Sequence, residues 1–228
     1  PFLHLGRGIY QLGHGSKKHV FDRSYSEVNS TFGTLLAQSK FASTNLLRSA
    51  GFPAPKNFLV STFNEAQIAA IELGFPVVVK PVDRDRGEGV TVDIRDVNIL
   101  QKAFRAAMEL SEAKKVLVEE MVAGVCHRIF ISNHRLLYAV KRMPNGVFGD
   151  GVRNIQQLVQ DRDLIEKSKA PWLREKVLTL DDKALKSISV LGLVPTSVPD
   201  PGIFVPLRLI ESTADGGIDQ DSQQLFLR

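Results

Sequence analysis

One stretch of the sequence, Leu73–Val92, constrains the fold more than any other. It reads LGFPVVVKPVDRDRGEGVTV. Val77–Val79 is a short β-branched run, which is typical of a buried strand, and Lys80 stands where the next residue, a proline, favours a turn. A charged loop with two glycines, Asp83–Gly89, follows before Val90–Val92 resumes a strand. The stretch therefore predicts two strands joined by a flexible loop, with an ammonium group at the end of the first strand.

Two interpretations of this hairpin are open. A glycine-bearing loop beside a strand-end lysine is able to close over phosphate groups, because it offers backbone N–H groups and one fixed positive charge. An ordinary exposed hairpin with a solvated lysine would show the same sequence pattern. The stretch is not a Walker loop, which needs Gly-Lys-Ser/Thr at the start of a helix, and it is not a dinucleotide-binding fingerprint.

The composition is that of an ordinary globular chain, long enough at 228 residues for one large domain or two small lobes. The net charge of +4 suits an anionic ligand but is too small to indicate a nucleic-acid protein. A single cysteine, Cys126, excludes an internal disulfide and a cysteine-rich metal site, and His4, His14 and His19 lack the spacing of a metal site. Because the sequence shows neither a membrane-length apolar run nor a signal peptide, we expect a cytoplasmic protein without nucleic-acid or membrane partners.

The remaining sequence alternates between strand and helix patterns, which predicts the α+β class. Strands are expected at residues 2–5, 8–12, 58–60, 116–120, 128–131, 136–140 and 204–209. Helices are expected within residues 24–50, at 65–73, after an Asp96 cap, near 154–160 and at 181–191. Residues 215–221 read as a polar tail broken by glycines.

Taken together, these segments resemble the ATP-grasp superfamily, and within it the cyanophycin synthetase branch, which shares its ATP-grasp character with the ligase half of bifunctional glutathione-synthesising enzymes. The matching words, which cover nearly the whole chain, are LGRGIYQLGHGSKK, SKFASTNLLRSAGFPAP, GFPVVVKP, DRGEGV, VLVEEMVAG, HRIFI, AVKRMPNGVFGDGVRNIQQLV and VPDPGIFVPLR. The resemblance implies an ATP-grasp fold of two α+β lobes with the nucleotide between them, incomplete at the C-terminus. Residues 1–51 would be an N-terminal hairpin and helix leading into the core, residues 52–118 a small lobe with a glycine-rich flap, and residues 119–228 part of the second lobe.

The resemblance also implies a set of site residues. Lys40, eleven residues before Gly51, and Lys80 would bind the phosphates of ATP. The residues of the flap would close over these phosphates; they are Arg86, Gly87, Glu88, Gly89 and Val90. The adenine amino group would donate to Glu119, and the backbone around Glu120, Met121 and Val122 would contact the ring edge. Arg128 and Arg142 would be catalytic, facing the phosphates or an acyl-phosphate. From the residues alone, Lys40 also fits a surface lysine on an amphipathic helix.

We further expect the loop Asp83–Gly89 to be mobile without nucleotide and to become ordered over the phosphates, because its residues offer little apolar surface to bury.

The sequence departs from this family at three points. A cysteine, Cys126, lies near the position of an acidic residue that contacts the ribose, and a thiol is a poor acceptor for that contact. Ser39 replaces the aspartate that usually precedes the first lysine. The family's magnesium ligands include a Glu-x-Asn word, which residues 215–228 lack although they contain Asp215, Asp219 and Asp221.

These features predict an ATP-dependent carboxylate–amine ligase that forms a C–N bond through an acyl-phosphate, with ATP and Mg²⁺ as cofactors and an amino acid or peptide as substrate. The alternative is a non-catalytic ATP-binding or nucleotide-binding ATP-grasp module. A homo-oligomer is left open. Because the chain starts at Pro1 and the magnesium ligands are not found, we expect it to be part of a longer protein and not to catalyse ligation alone.

Overall fold

The computed structural model describes residues 2–22, 25–174, 176, 179–212 and 216–226. Asp215, one of the aspartates singled out in the sequence, lies outside these residues. The chain forms two compact units. The first unit comprises Pro1–Arg84 and Gly89–Met121, and the second comprises Asp85–Glu88 and Val122–Arg228. The division into residues 1–51, 52–118 and 119–228 stays a prediction.

The first unit opens with a four-stranded antiparallel meander. Its strands are β1 (Phe2–Gly6), β2 (Ile9–Leu12), β3 (His19–Asp22) and β4 (Tyr25–Ser26), paired in chain order. The sequence predicted only the first two strands. The other two were missed because the polar residues of β3 and β4 dilute the apolar alternation on which a strand prediction depends.

Two short helices follow where the sequence predicted one helical stretch within residues 24–50. Helix α1 is Thr31–Gln38 and helix α2 is Lys40–Ser49. Ser39 has an extended backbone and separates the helices, and its hydroxyl accepts a 3.2 Å hydrogen bond from the Ala42 N–H, which caps α2. The continuous prediction was wrong at this point because the apolar spacing does not change across the break. The residue that differs from the family aspartate is thus a helix N-cap.

The core of the first unit is a four-stranded sheet covered by two helices. Its strands are β5 (Asn57–Val60), β6 (Val77–Pro81), β7 (Thr91–Ile94) and β8 (Val116–Glu120), in the order β5-β8-β6-β7 with antiparallel pairing. Helices α3 (Phe63–Leu73) and α4 (Val97–Leu110) pack against this sheet. Asp96 caps α4 as predicted, since its side chain accepts hydrogen bonds from the N–H groups of Asn98 and Ile99.

The second unit begins with a long hairpin that becomes a three-stranded sheet. Strands β9 (His127–Ser132) and β10 (Arg135–Met143) confirm the predicted hairpin. β10 also pairs with β13 (Ile218–Asp221), although the sequence indicated only a polar tail at residues 215–221. That prediction was wrong because three of the four β13 residues are polar, and the strand is specified by pairing with β10 rather than by its own apolar pattern.

A second core lies beyond this sheet. Strands β11 (Gly146–Phe148) and β12 (Phe204–Pro206) pair with each other, and helices α5 (Ile155–Ser168) and α6 (Asp182–Val190) pack on them. The helix expected near residues 154–160 is therefore two turns longer than predicted, and the strand expected at 204–209 ends earlier. Within the described ranges, no helix is both long and apolar enough to cross a membrane.

Candidate functional site

A polar row crosses three strands of the sheet in the first unit. The strand register places Asn57 on β5 and Val78 on β6 directly opposite Glu119 on β8. Lys80 lies two residues beyond Val78 and therefore on the same face, where a long side chain reaches a diagonal neighbour. The other face of these strands carries valines that are buried under α3 and α4. The alternation of apolar and polar residues thus sends one face to the core and brings Asn57, Glu119 and Lys80 together on the other.

Lys80 and Glu119 form a largely buried ion pair. The Lys80 Nζ lies 2.7 Å from the Glu119 Oε1, and the two side chains are 20% and 13% exposed. The Asn57 Nδ2 donates to the second carboxylate oxygen at 3.3 Å. Because a desolvated charge is costly without a partner, Glu119 and Lys80 hold each other in place. The family resemblance assigned Glu119 to adenine and Lys80 to phosphate; in the structure the two are joined to each other.

Lys40, the first residue of α2, contacts the start of the glycine loop. Its ammonium donates hydrogen bonds to the backbone carbonyls of Val82 and Arg84. The side chain is therefore engaged by the main chain just after β6, in the same unit as Lys80. This placement favours a role at the loop over that of a solvated surface lysine.

The start of the loop is further fixed to the end of α4. The Arg84 Nε donates to the Leu110 carbonyl at 2.7 Å, and Asp83 accepts from the Ala113 N–H at 2.7 Å. Burial raises the pKa of Asp83, but hydrogen bonds from the Ala113 N–H and from Ser111 outweigh it and hold the pKa below the usual range. The charged side chains of residues 83 and 84 thus form specific contacts with the chain at and just after the end of α4.

The glycines of the loop adopt conformations that suit glycine. Gly87 and Gly89 have φ angles of 80° and 70°, and a Cβ on Gly89 would lie 2.7 Å from the Pro81 side chain. The Ser212 hydroxyl donates to the Arg86 carbonyl at 2.9 Å, and the Glu88 N–H closes a turn on the Asp85 carbonyl. Val90, half buried, leads into β7. Mobility of the loop without nucleotide stays a prediction.

The residues at the end of β8 differ in exposure and in backbone hydrogen bonding. The Glu120 N–H donates to the Lys56 carbonyl at 2.9 Å, so this donor is already used by the sheet. The next two side chains, Met121 and Val122, are 39% and 66% exposed. Contact of the backbone at Glu120, Met121 and Val122 with an adenine ring edge stays a prediction.

The second unit places two arginines and one aspartate on one face of its sheet. Arg128 faces Val140 across β9 and β10, and Arg142, two residues along β10, points to the same side. Arg142 lies opposite Asp219, and its Nε is 3.1 Å from the Asp219 Oδ1. The Arg142 N–H also donates to the Cys126 carbonyl at 2.8 Å. Arg128 is exposed, whereas the Arg142 side chain is only 13% exposed.

Cys126 lies in the field of this cluster. Burial raises the pKa of its thiol, the Glu211 carboxylate raises it further, and Arg142 and Arg128 oppose the rise. The thiol is thus neutral near pH 7, which makes it a weak nucleophile and, as the sequence indicated, a poor acceptor for a ribose hydroxyl.

This arrangement predicts the direction in which Cys126 reactivity changes. Glu211→Gln is expected to lower the thiol pKa and speed alkylation by iodoacetamide at pH 8, because one neighbouring negative charge is removed. Arg142→Gln is expected to slow it. Asp163→Asn serves as the control, because Asp163 pairs with Lys167 and is not one of the charges named as acting on this thiol. A shift of both alkylation rates in the same direction would contradict the arrangement.

Two residues of this geometry, Asn57 and Ser212, were not identified from the sequence, and Asp219 was noted only as an aspartate of the polar tail. Asn57 begins a strand that was expected to start at residue 58, and a polar residue that follows Lys56 carries no strand signal of its own. Ser212 left no local signal because its partner, Arg86, lies far along the chain, as does Arg142, the partner of Asp219.

The protein is of the α+β class, and the positively charged residues at the ends of its strands suit an anionic ligand. The family model of the carbamoyl-phosphate synthase L chain ATP-binding domain matches residues 39–194. The chain belongs to this family of ATP-binding domains, which confirms the predicted ATP-grasp character. ATP is therefore the ligand that the family supports.

Two similar proteins and one solved structure agree with this assignment. Cyanophycin synthetase of Crocosphaera subtropica is 29% identical over 222 residues, 95% of this chain and 25% of that protein. The glutathione biosynthesis bifunctional protein of Mannheimia succiniciproducens is 28% identical over 209 residues, 88% of this chain and 27% of that protein. The crystal structure of a bifunctional glutathione synthetase from Pasteurella multocida superposes with a TM-score of 0.60 at 22% identity, covering 99% of this chain and 31% of that chain, and shows the shared fold. The chain thus spans about a quarter of the length of the curated relatives it matches.

Proposed function

We propose that the protein containing this chain is an ATP-dependent carboxylate–amine ligase. One observation carries the proposal: the family match over residues 39–194 includes every candidate site residue, from Lys40 to Arg142. The relatives over most of this chain are named as a synthetase and a biosynthesis protein, which favours a ligase over a module that only binds nucleotide.

The reaction proceeds in two balanced steps. A carboxylate oxygen of the substrate attacks the γ-phosphorus of ATP, which forms an acyl-phosphate and releases ADP. An amine then attacks the acyl carbon, a C–N bond forms, and inorganic phosphate leaves. The amine loses its proton in this step. An amino acid or a peptide supplies the carboxylate and the amine.

Two lysines, the glycine loop and the end of β8 bind the nucleotide. Lys40 and Lys80 donate to the phosphates, because each is a fixed cation near the start of the glycine loop. The loop residues Arg86, Gly87, Glu88, Gly89 and Val90 cover the phosphates with backbone N–H groups. Glu119 accepts from the adenine amino group through the carboxylate that Asn57 and Lys80 orient, and the backbone at Glu120, Met121 and Val122 contacts the ring edge.

The residues of the second unit act on the transferred group. Arg128 and Arg142 stabilise the negative charge that develops on the phosphoryl group, as fixed guanidinium groups do in phosphoryl transfer. The Cys126 thiol does not replace the ribose-binding carboxylate, so ribose contacts contribute less here than in the family pattern.

Magnesium is expected from the family resemblance but the described residues do not fit it. In the part of the chain that the structure describes, no three His, Cys, Asp or Glu side chains come close enough to hold a metal ion. Mg²⁺ prefers near-octahedral oxygen coordination with carboxylate help, and Asp219 is engaged by Arg142 instead. No step above is therefore assigned to a metal held by these residues.

The test is amine-dependent ADP release by the full-length protein across a panel of amino acids. We expect ADP release only when a carboxylate substrate and an amine are both present. If ATP binds and no acceptor supports turnover, the non-catalytic nucleotide-binding module becomes the better assignment; Cys126 is the residue that favours it. Cytoplasmic location and homo-oligomer formation stay predictions.

A further inference from the structure

We propose that Asp219 is a positioning residue that holds the Arg142 guanidinium in its working orientation, an inference that rests on the proposed ligase function. Asp219 lies on β13, which pairs with β10 so that Asp219 is directly opposite Arg142. The contact therefore joins two residues that are 77 positions apart in the chain.

The burial of Arg142 makes this contact consequential. An ion pair between two exposed side chains contributes little, but Arg142 is only 13% exposed whereas Asp219 is 38% exposed. A guanidinium with this little access to water needs a protein acceptor. Asp219 supplies this acceptor.

The geometry of the contact fixes the direction of the arginine. Asp219 accepts from Nε at 3.1 Å, and the backbone N–H of Arg142 is held by the Cys126 carbonyl. Within the described part of the chain, this contact leaves the end of the guanidinium that carries Nη1 and Nη2 for another anion. A planar guanidinium held at Nε presents that end in one orientation, which suits paired hydrogen bonds to phosphate oxygens.

A matched control exists on the same strand. Asp221 lies two residues from Asp219, on the same face and opposite Val140 rather than an arginine. Its carboxylate accepts from the Gln223 N–H, a bond that asparagine retains. Asp219→Asn and Asp221→Asn thus remove the same charge from the same face, and only the first weakens a contact with Arg142.

The experiment measures steady-state kinetics of amine-dependent ADP release with the full-length protein. We expect Asp219→Asn to lower kcat about tenfold with little change in the KM for ATP, because a fixed orientation matters most in the transition state. Asp221→Asn should stay near wild type, and Asp219→Glu should recover most of the lost kcat. In an Arg142→Lys background, Asp219→Asn should add no further loss, since the group it positions is gone.

Several results would overturn the proposal. Equal kcat values for Asp219→Asn and Asp221→Asn, or losses that multiply in the double variant, would show that Asp219 does not act through Arg142. A fall in thermal stability without a fall in kcat, or no recovery with Asp219→Glu, would show a structural role only. If the wild-type protein turns over and only these comparisons fail, the ligase function stands; if the wild type releases no ADP with any amine, both fall.

Discussion

Replacing Lys80 with alanine is expected to weaken ATP binding about tenfold to a hundredfold. A charge-assisted hydrogen bond to a phosphate contributes about 1.5–3 kcal/mol, and each 1.4 kcal/mol is about a factor of ten in affinity. The measurement is calorimetric titration of the full-length protein with ATP. Lys40→Ala should behave similarly, since its ammonium also lies at the start of the glycine loop.

The Lys80 variant also removes the partner of Glu119, so stability must be separated from binding. A lysine on the surface of the same unit serves as the matched control: Lys56 pairs with Glu72 at 2.8 Å, with side chains 41% and 52% exposed. Lys56→Ala should leave ATP affinity unchanged. Lys80→Met combined with Glu119→Gln should restore much of the lost unfolding free energy, because no carboxylate is left without its cation. Recovery of ATP affinity in that double variant would contradict the phosphate role of Lys80.

Replacing Arg142 with glutamine is expected to lower kcat by about a hundredfold to a thousandfold. A preorganised donor aimed at charge that develops in the transition state has an effect of this order, and glutamine keeps a hydrogen-bonding group without the charge. The KM for ATP should change much less than kcat, because the interaction is made chiefly in the transition state. The measurement is the rate of amine-dependent ADP release at saturating ATP.

The control for Arg142 comes from the same strand. Arg135 begins β10 at the turn of the hairpin, is exposed, and lies seven residues from Arg142. Arg135→Gln removes the same charge from the same element and should leave kcat within about twofold of wild type, as surface substitutions do. Equal losses for the two variants would indicate a general effect of positive charge on this unit. That result would remove the catalytic assignment of Arg142.

The parts of the fold that followed from sequence are those in which local pattern and tertiary packing agree. The β-branched run at Val77–Val79 forms a strand, the Asp96 side chain caps α4, and the alternation of β8 places Val116 and Val118 in the core. In each case the residue type favours one environment: valine favours a buried strand, and aspartate favours the N-terminus of a helix. Turn chemistry and burial then select the same element boundaries.

The parts that did not follow depend on partners far along the chain. The strand Ile218–Asp221 has one apolar residue, and it forms because β10 offers an edge and Arg142 a counter-charge. The spacing of the apolar residues does not reveal the break at Ser39, because the sequence on both sides of it forms a helix. Likewise, the sequence around Asp83 and Arg84 does not show that these charged side chains have hydrogen-bond partners at and just after the end of α4.

In the candidate site, too, some residues could be predicted from the sequence, whereas the contacts between them could not. The family resemblance named Lys40, Lys80, Glu119 and Arg142, but only the structure showed that Lys80 and Glu119 are joined. Neither residue's sequence neighbourhood contains the other, since they are 39 positions apart. The side chain that orients Glu119, Asn57, was missed for the same reason.

The most direct test of the central claim is trapping of the acyl-phosphate with hydroxylamine. The full-length protein is incubated with ATP and a panel of amino acid or peptide carboxylates, and hydroxylamine replaces the natural amine. An acyl-phosphate ligase should convert the correct carboxylate to its hydroxamate, with one ADP and one phosphate released for each hydroxamate, and Arg142→Gln should suppress all three products together. ATP binding without hydroxamate from any carboxylate, or ADP release that does not depend on the carboxylate, would contradict the account.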